Sequence, residues 1–108
     1  YEQKRFEAAE KRGRLCLIAS PDGAEGSVTI HQDAHVYAAL LDGAERATHA
    51  LDADRLAYVH VARGRLNLNG RALGAGDALK MSGIATVVLD GGADAEVLLF
   101  DLPRSSGQ

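Results

Sequence analysis

Four histidines, one cysteine and a scatter of serines and carboxylates are the side chains of this sequence whose types could do chemistry. Histidine pairs come first, because imidazoles on neighbouring strands are a common way to hold a metal. His31 and His35 stand four residues apart. On one continuous strand they would share a face yet sit roughly 13 Å apart, at about 3.3 Å per residue. Ligands of one zinc or iron must each come within about 2.1 Å of it. A bend at Gln32–Ala34 would shorten the gap but swing one ring away, so no metal is expected there. His49 and His60 come from different segments and could meet only through tertiary structure. His60 alternates with Leu56 and Tyr58 on one strand face, opposite Val59 and Val61. That pattern reads as a half-buried, hydrogen-bonded histidine, or as one lining a pocket. A buried ring nitrogen left without a partner costs about 1–3 kcal/mol.

Nucleophiles and acids fit catalysis no better. Ser20, Ser27 and Ser82 fall in turns or at strand starts, and none lies in a G-x-S-x-G elbow. Cys16, in the apolar run Leu15–Ala19, reads as a small buried hydrophobe, and as a single cysteine it can form no internal disulfide. Asp22, Asp42, Asp77 and Asp90 sit in turn positions, and no paired carboxylates occupy the centre of an apolar strand. Gly74-Ala75-Gly76-Asp77 lacks the Lys-Ser/Thr and the following helix of a phosphate-binding loop. No catalytic residue and no metal ligand set emerges. The chain is not expected to be an enzyme by itself.

The elements that must position these side chains are short and β-like. A chain of 108 residues fits one domain. At this size it buries roughly two-thirds of the surface its unfolded form exposes. A formal net charge of −3 with scattered basic residues disfavours nucleic acid, whose binding needs several phosphates neutralised together. Runs such as Val97–Phe100 are far shorter than the roughly 20 residues of a membrane helix. There is no basic-then-apolar leader, and the first residue is Tyr1 rather than Met. The chain is therefore expected to be cytoplasmic and part of something longer.

Residues 1–14 are dense in charge, and Glu7 to Lys11 has helical ion-pair spacing that Gly13 would end. This segment reads as a linker or interdomain arm. From Leu15 onward, short apolar runs alternate with turns. Leu15–Ser20, Ser27–His31, His35–Leu41, Leu56–Ala62, Arg65–Leu68, Arg71–Leu73, Thr86–Leu89 and Glu96–Leu102 read as strands. Ser20-Pro21-Asp22-Gly23, Asp42-Gly43, Asn69-Gly70 and Asp90-Gly91-Gly92 read as turns, and Gly64 as a stop. Leu51–Arg55 allows one helical turn at most. Residues 104–108 read as a flexible tail. Strands at this spacing predict an all-β sandwich or barrel, with a jelly roll the best match to Gly-Asp corners.

The stretch YVHVARGRLNLNGRALGAGD at Tyr58–Asp77 resembles a cupin core, in which a strand, a glycine-bearing hairpin and a Leu-x-x-Gly-Asp corner follow one another. More specifically, the chain resembles the C-terminal half of pirin-like bicupins, the group with quercetin 2,3-dioxygenase members. The residues that carry this are YEQK at Tyr1–Lys4, ASPDG at Ala19–Gly23, GSVTIHQDAHVY at Gly26–Tyr37, NGRALGAGD at Asn69–Asp77 and EVLLFDLP at Glu96–Pro103.

The resemblance implies a mostly antiparallel cupin-type jelly roll over residues 15–103, degenerate in its chemistry. Metal-binding cupins use His-x-His and Glu on one strand pair and a His on a later strand. Here that first region reads Thr48-His49-Ala50, and the later strand around Ile84–Val88 has no histidine. In this family the metal and the dioxygenase activity belong to the N-terminal cupin. The expected function is therefore a metal-free, non-catalytic C-terminal cupin that packs against and stabilises a metal-bearing N-terminal half. No cofactor is expected in this chain. A domain isolated from that partner is expected to form dimers or higher oligomers. The alternatives are a small-molecule binding module, with Arg55, Tyr58, His60 and His49 lining the barrel cavity, or a protein-interaction module.

Overall fold

The computed structural model describes residues 11–30 and 32–103. Its strands are β1 (Cys16–Ser20), β2 (Val28–Thr29), β3 (His35–Leu41), β4 (Ala47–Ala50), β5 (Arg55–Leu68), β6 (Arg71–Gly74), β7 (Ala78–Ser82) and β8 (Thr86–Pro103), with a short 3-10 turn at Ala24–Gly26. The strand order is β2-β1-β3-β8-β5-β6, with β4 added to β8 and β7 to β5. β1 and β2 run parallel and the other pairings are antiparallel, so the sheet is mixed.

The two long strands organise everything else. The C-terminal half of β8 lies between β3 and the first half of β5, in register from His35↔Asp101 to Leu41↔Ala95 and from Arg55↔Pro103 to Val61↔Val97. Its N-terminal half lies between β4, from Ala47↔Leu89 to Ala50↔Thr86, and the second half of β5, at Asn67↔Asp90 and Leu68↔Leu89, and that half of β5 also makes a hairpin with β6. Each long strand thus serves two layers that close on one core.

The sequence pattern divides β5 at Gly64 and β8 at Asp90-Gly91-Gly92, but both strands run through. The register slips between Val61 and Asn67, where bulges let the pair bend without breaking. Gly64 permits the bend. Its φ is +72°, and a Cβ there would stand 2.2 Å from the Asp94 carbonyl oxygen. Only glycine tolerates both the conformation and the approach. β4 and β7 have no clear strand pattern in the sequence, and their partners β8 and β5 supply the order. At Leu51–Arg55 a single turn forms, closed by the Arg55 N–H donating to the Asp52 carbonyl at 3.0 Å. The Asn69-Gly70 hairpin forms as its residues demand, Asn69 at φ 48° and Gly70 at +84°.

Period-2 alternation sends Ala57, Val59 and Val61 of β5, and Val97 and Leu99 of β8, into the core with no exposure. Leu66 and Leu68 farther along β5, Val87 and Leu89 earlier on β8 and Leu41 of β3 join them. Each such side chain contributes about 1.5–3 kcal/mol by leaving water. These side chains fill the space between the two layers.

Candidate functional site

At one end of the core the inward-facing rows change from apolar to polar. On β8 the row Val97, Leu99 continues to Asp101; on β5 the row Val61, Val59, Ala57 continues back to Arg55. Tyr37 precedes Ala39 and Leu41 on β3, and His49 lies between buried Ala47 and Leu51 at β4. Four strands therefore bring one tyrosine, one histidine, one arginine and one carboxylate to the same place.

Asp101 is the hub. Its Oδ2 lies 2.7 Å from His49 Nε2, and its Oδ1 accepts from Arg55 Nε at 2.5 Å. Arg55 Nη2 also donates to the Asp101 backbone carbonyl at 3.0 Å. The far edge of the guanidinium donates through Nη1 to both carboxylate oxygens of Asp33, each at 3.1 Å. Asp101, His49 and Arg55 keep 11%, 13% and 15% of their side-chain surface exposed, whereas Asp33 keeps 64%. The His49 ring packs on Tyr37, with centroids 4.8 Å apart. Burial pushes the Tyr37 phenol above its usual pKa, helped by the negative charge of Asp101 and partly opposed by Arg55. Burial by itself would lower the Arg55 pKa; its hydrogen bonds to Asp101 and Asp33 outweigh this and raise it. Among the described residues no buried side-chain nitrogen or oxygen lacks a partner.

Of the four residues that the sequence marks as pocket-lining, the structure brings Arg55 and His49 together through Asp101. Tyr58 and His60 point the other way, on the outer face of β5, where Tyr58 packs on Phe100 at 6.0 Å. Sequence reasoning misses Asp101, Tyr37 and Asp33. Asp101 had a usable sign, since alternation from Val97 and Leu99 places it on the apolar face. His35 is half-buried and pairs with Asp101 across β3 and β8; His31 lies outside the described residues.

A divalent metal does not fit this donor set. Among the described residues no three His, Cys, Asp or Glu side chains converge as metal ligands. Both oxygens of Asp101 are engaged, and the cation beside them is already the guanidinium of Arg55. A second cation would meet that charge at close range. An open groove of about 400 Å³ lies elsewhere, between Arg65, Asn67, Ala72, Gly74 and Gly91, and touches none of Arg55, Tyr58, His60 or His49.

The chain is similar to proteins of known sequence and structure. The profile of the quercetinase C-terminal cupin domain matches residues 17–102. Quercetin 2,3-dioxygenase of Escherichia coli K12 is 35% identical over 103 residues, which cover 95% of this chain and 43% of that protein. A pirin-like protein of Caulobacter vibrioides is 33% identical over 100 residues, again with 43% of its length covered. The crystal structure of YhhW from E. coli superposes with a TM-score of 0.88 at 34% identity, covering 97% of this chain and 44% of that one. The same bacterial pirin has also been solved in complex with nickel(II). The chain thus spans less than half the length of these relatives.

Proposed function

Since this chain belongs to the quercetinase C-terminal cupin domain family, we propose that it is the metal-free half of a two-cupin protein. In this reading it packs against and stabilises an N-terminal cupin, which holds the metal and carries any quercetin 2,3-dioxygenase-type activity. The observation that bears most weight is Arg55. Its guanidinium sits at the polar end of the core and binds Asp101, whose other carboxylate oxygen holds His49, the one histidine in the first region where the resemblance implies metal ligands. The core of the domain is occupied by Leu, Val and Ala side chains, which favours a packing role over a ligand cavity.

The test uses the longer protein, of about 240 residues if it matches the E. coli relative, whose 103 aligned residues are 43% of its length. Elemental analysis should find one metal per chain, and none in the 108-residue domain alone. His49→Gln should leave that metal, and turnover of a flavonol, unchanged. Loss of the metal in His49→Gln would place a ligand in this domain and overturn the reading.

A further inference from the structure

Asn67 and Asn69 are the two asparagines of the chain, and only Asn69 is followed by glycine. Asn69 and Gly70 are both exposed at the tip of the β5–β6 hairpin, and nothing stands within 4 Å of where a Gly70 Cβ would be. Glycine has no side chain to shield its backbone nitrogen. Such a nitrogen can attack the Cγ of the asparagine before it. The N–Cγ bond forms, the Cγ–Nδ2 bond breaks, and ammonia leaves with the proton of the Gly70 nitrogen. Water then opens the resulting cyclic imide at one of its two carbonyls. The products are aspartate, or an isoaspartate whose backbone is one methylene longer.

The folded chain holds that side chain on another strand. The pairing of β5 with β8 ends at Leu68↔Leu89, and Asn69 carries the ladder one step further from within the turn. Its N–H donates to the Val88 carbonyl at 2.9 Å, its Oδ1 accepts from the Val88 N–H at 2.6 Å, and its Nδ2 donates to the Thr86 carbonyl at 3.0 Å. The side-chain amide thus stands in for a peptide group along this edge of β8. The other edge is taken by β4, at Thr48↔Val88 and Ala50↔Thr86. Closing the imide removes Nδ2 as ammonia, so the bond to Thr86 must break and Cγ must turn from β8 to Gly70. The fold opposes a reaction that the sequence invites.

We infer that Asn69-Gly70 is a modification site gated by the hairpin: Asn69 deamidates only in molecules whose turn has let go of β8, and the change keeps the turn from seating as before. Local openings of this kind occur within the native state and cost less than global unfolding. An ionised aspartate at position 69 still accepts from the Val88 N–H, but it has no hydrogen to donate to Thr86 and sets its charge against that carbonyl oxygen. Isoaspartate displaces the turn by its extra methylene. The deamidated fraction therefore records how long the hairpin has stood open.

The unchanged chain carries the test. It is incubated at mildly alkaline pH, folded in buffer or unfolded in guanidinium chloride, and then digested with trypsin. Cleavage after Arg65 and Arg71 releases the peptide Leu66–Arg71, which holds both asparagines. Fragment masses assign each amide-to-acid conversion to Asn67 or Asn69. Asn69 should convert at least about tenfold more slowly in the folded chain than in the unfolded one. In the unfolded chain it should outpace Asn67, whose neighbour is Leu68. Equal folded and unfolded rates at Asn69 overturn the gate, and an unfolded chain that converts Asn67 as readily overturns the site. Asn69→Asp supplies the product directly and should unfold at a lower guanidinium concentration than the parent. An unchanged midpoint overturns the claim that the modified turn no longer seats on β8.

Discussion

Asp101→Asn removes one negative charge from the hub of the polar cluster and changes the volume little. In the folded protein Asp101 accepts from Arg55 Nε and pairs with His49 at 2.7 Å, with 11% of its side chain exposed. Charge-assisted bonds of this kind contribute about 1.5–3 kcal/mol each. Breaking one member of a buried pair costs about 3–5 kcal/mol, because a charge is left without compensation. The cost here is smaller, since Arg55 keeps Asp33 and the Asp101 backbone carbonyl, and asparagine can still accept one bond. The expected loss is about 2–4 kcal/mol. For a domain of this size each kcal/mol moves the melting midpoint by about 4–8 °C, which puts Asp101→Asn roughly 8–32 °C below the parent. Asp33→Asn alters the same guanidinium from its exposed side and should cost no more than about 1 kcal/mol. Thermal and urea unfolding followed by circular dichroism supply both numbers. A double-mutant cycle with Arg55→Met then separates stranding of the guanidinium from loss of contact. If Asp101→Asn costs no more than Asp33→Asn, or if the two changes at Arg55 and Asp101 simply add, the hub assignment is wrong.

Other elements predict distinct outcomes. Gly64→Ala places a Cβ 2.2 Å from a backbone oxygen at φ +72° and should cost well over 2 kcal/mol; Gly70→Ala, with nothing within 4 Å, should cost only about 1 kcal/mol by urea denaturation. Leu99→Ala empties part of the core and should lose about 2–5 kcal/mol in the same assay. Tyr37 holds its phenol proton more tightly folded than unfolded, so its pKa is raised by folding. Stability linked to this group is fully present below pH 10 and declines as pH climbs through the raised value. Absorbance titration should show a tyrosine ionisation above the usual phenol value, and Tyr37→Phe should delete that step. A titration of Tyr37→Phe that still contains the late step would reassign it.

Much of this architecture is legible because turns announce themselves. His35–Leu41 forms β3 with the bounds its residues suggest, and Asn69-Gly70 closes the hairpin that its φ preferences require. Gly64 and Gly91 mislead for the same reason. Glycine marks a place where the backbone needs freedom, and a strand that bends through a bulge needs it as much as a strand that ends. Ala47–Ala50 and Ala78–Ser82 carry little intrinsic strand preference, so their order comes from long-range pairing that no local window contains. The polar cluster is half legible. Arg55 and His49 stand out by type, but what joins them is Asp101, 46 residues from Arg55 and 52 from His49.

Arg55 already supplies a cation at the polar end of the core, which is the ground on which we propose that this domain binds no metal. Calorimetric titration of the 108-residue domain with nickel(II), iron(II) and copper(II), with elemental analysis after dialysis, addresses it most directly. The account predicts no stoichiometric uptake and no change in the melting midpoint with nickel or iron. One equivalent of nickel or iron, retained through dialysis and lost in His49→Gln, would contradict it and make this domain a metal site in its own right.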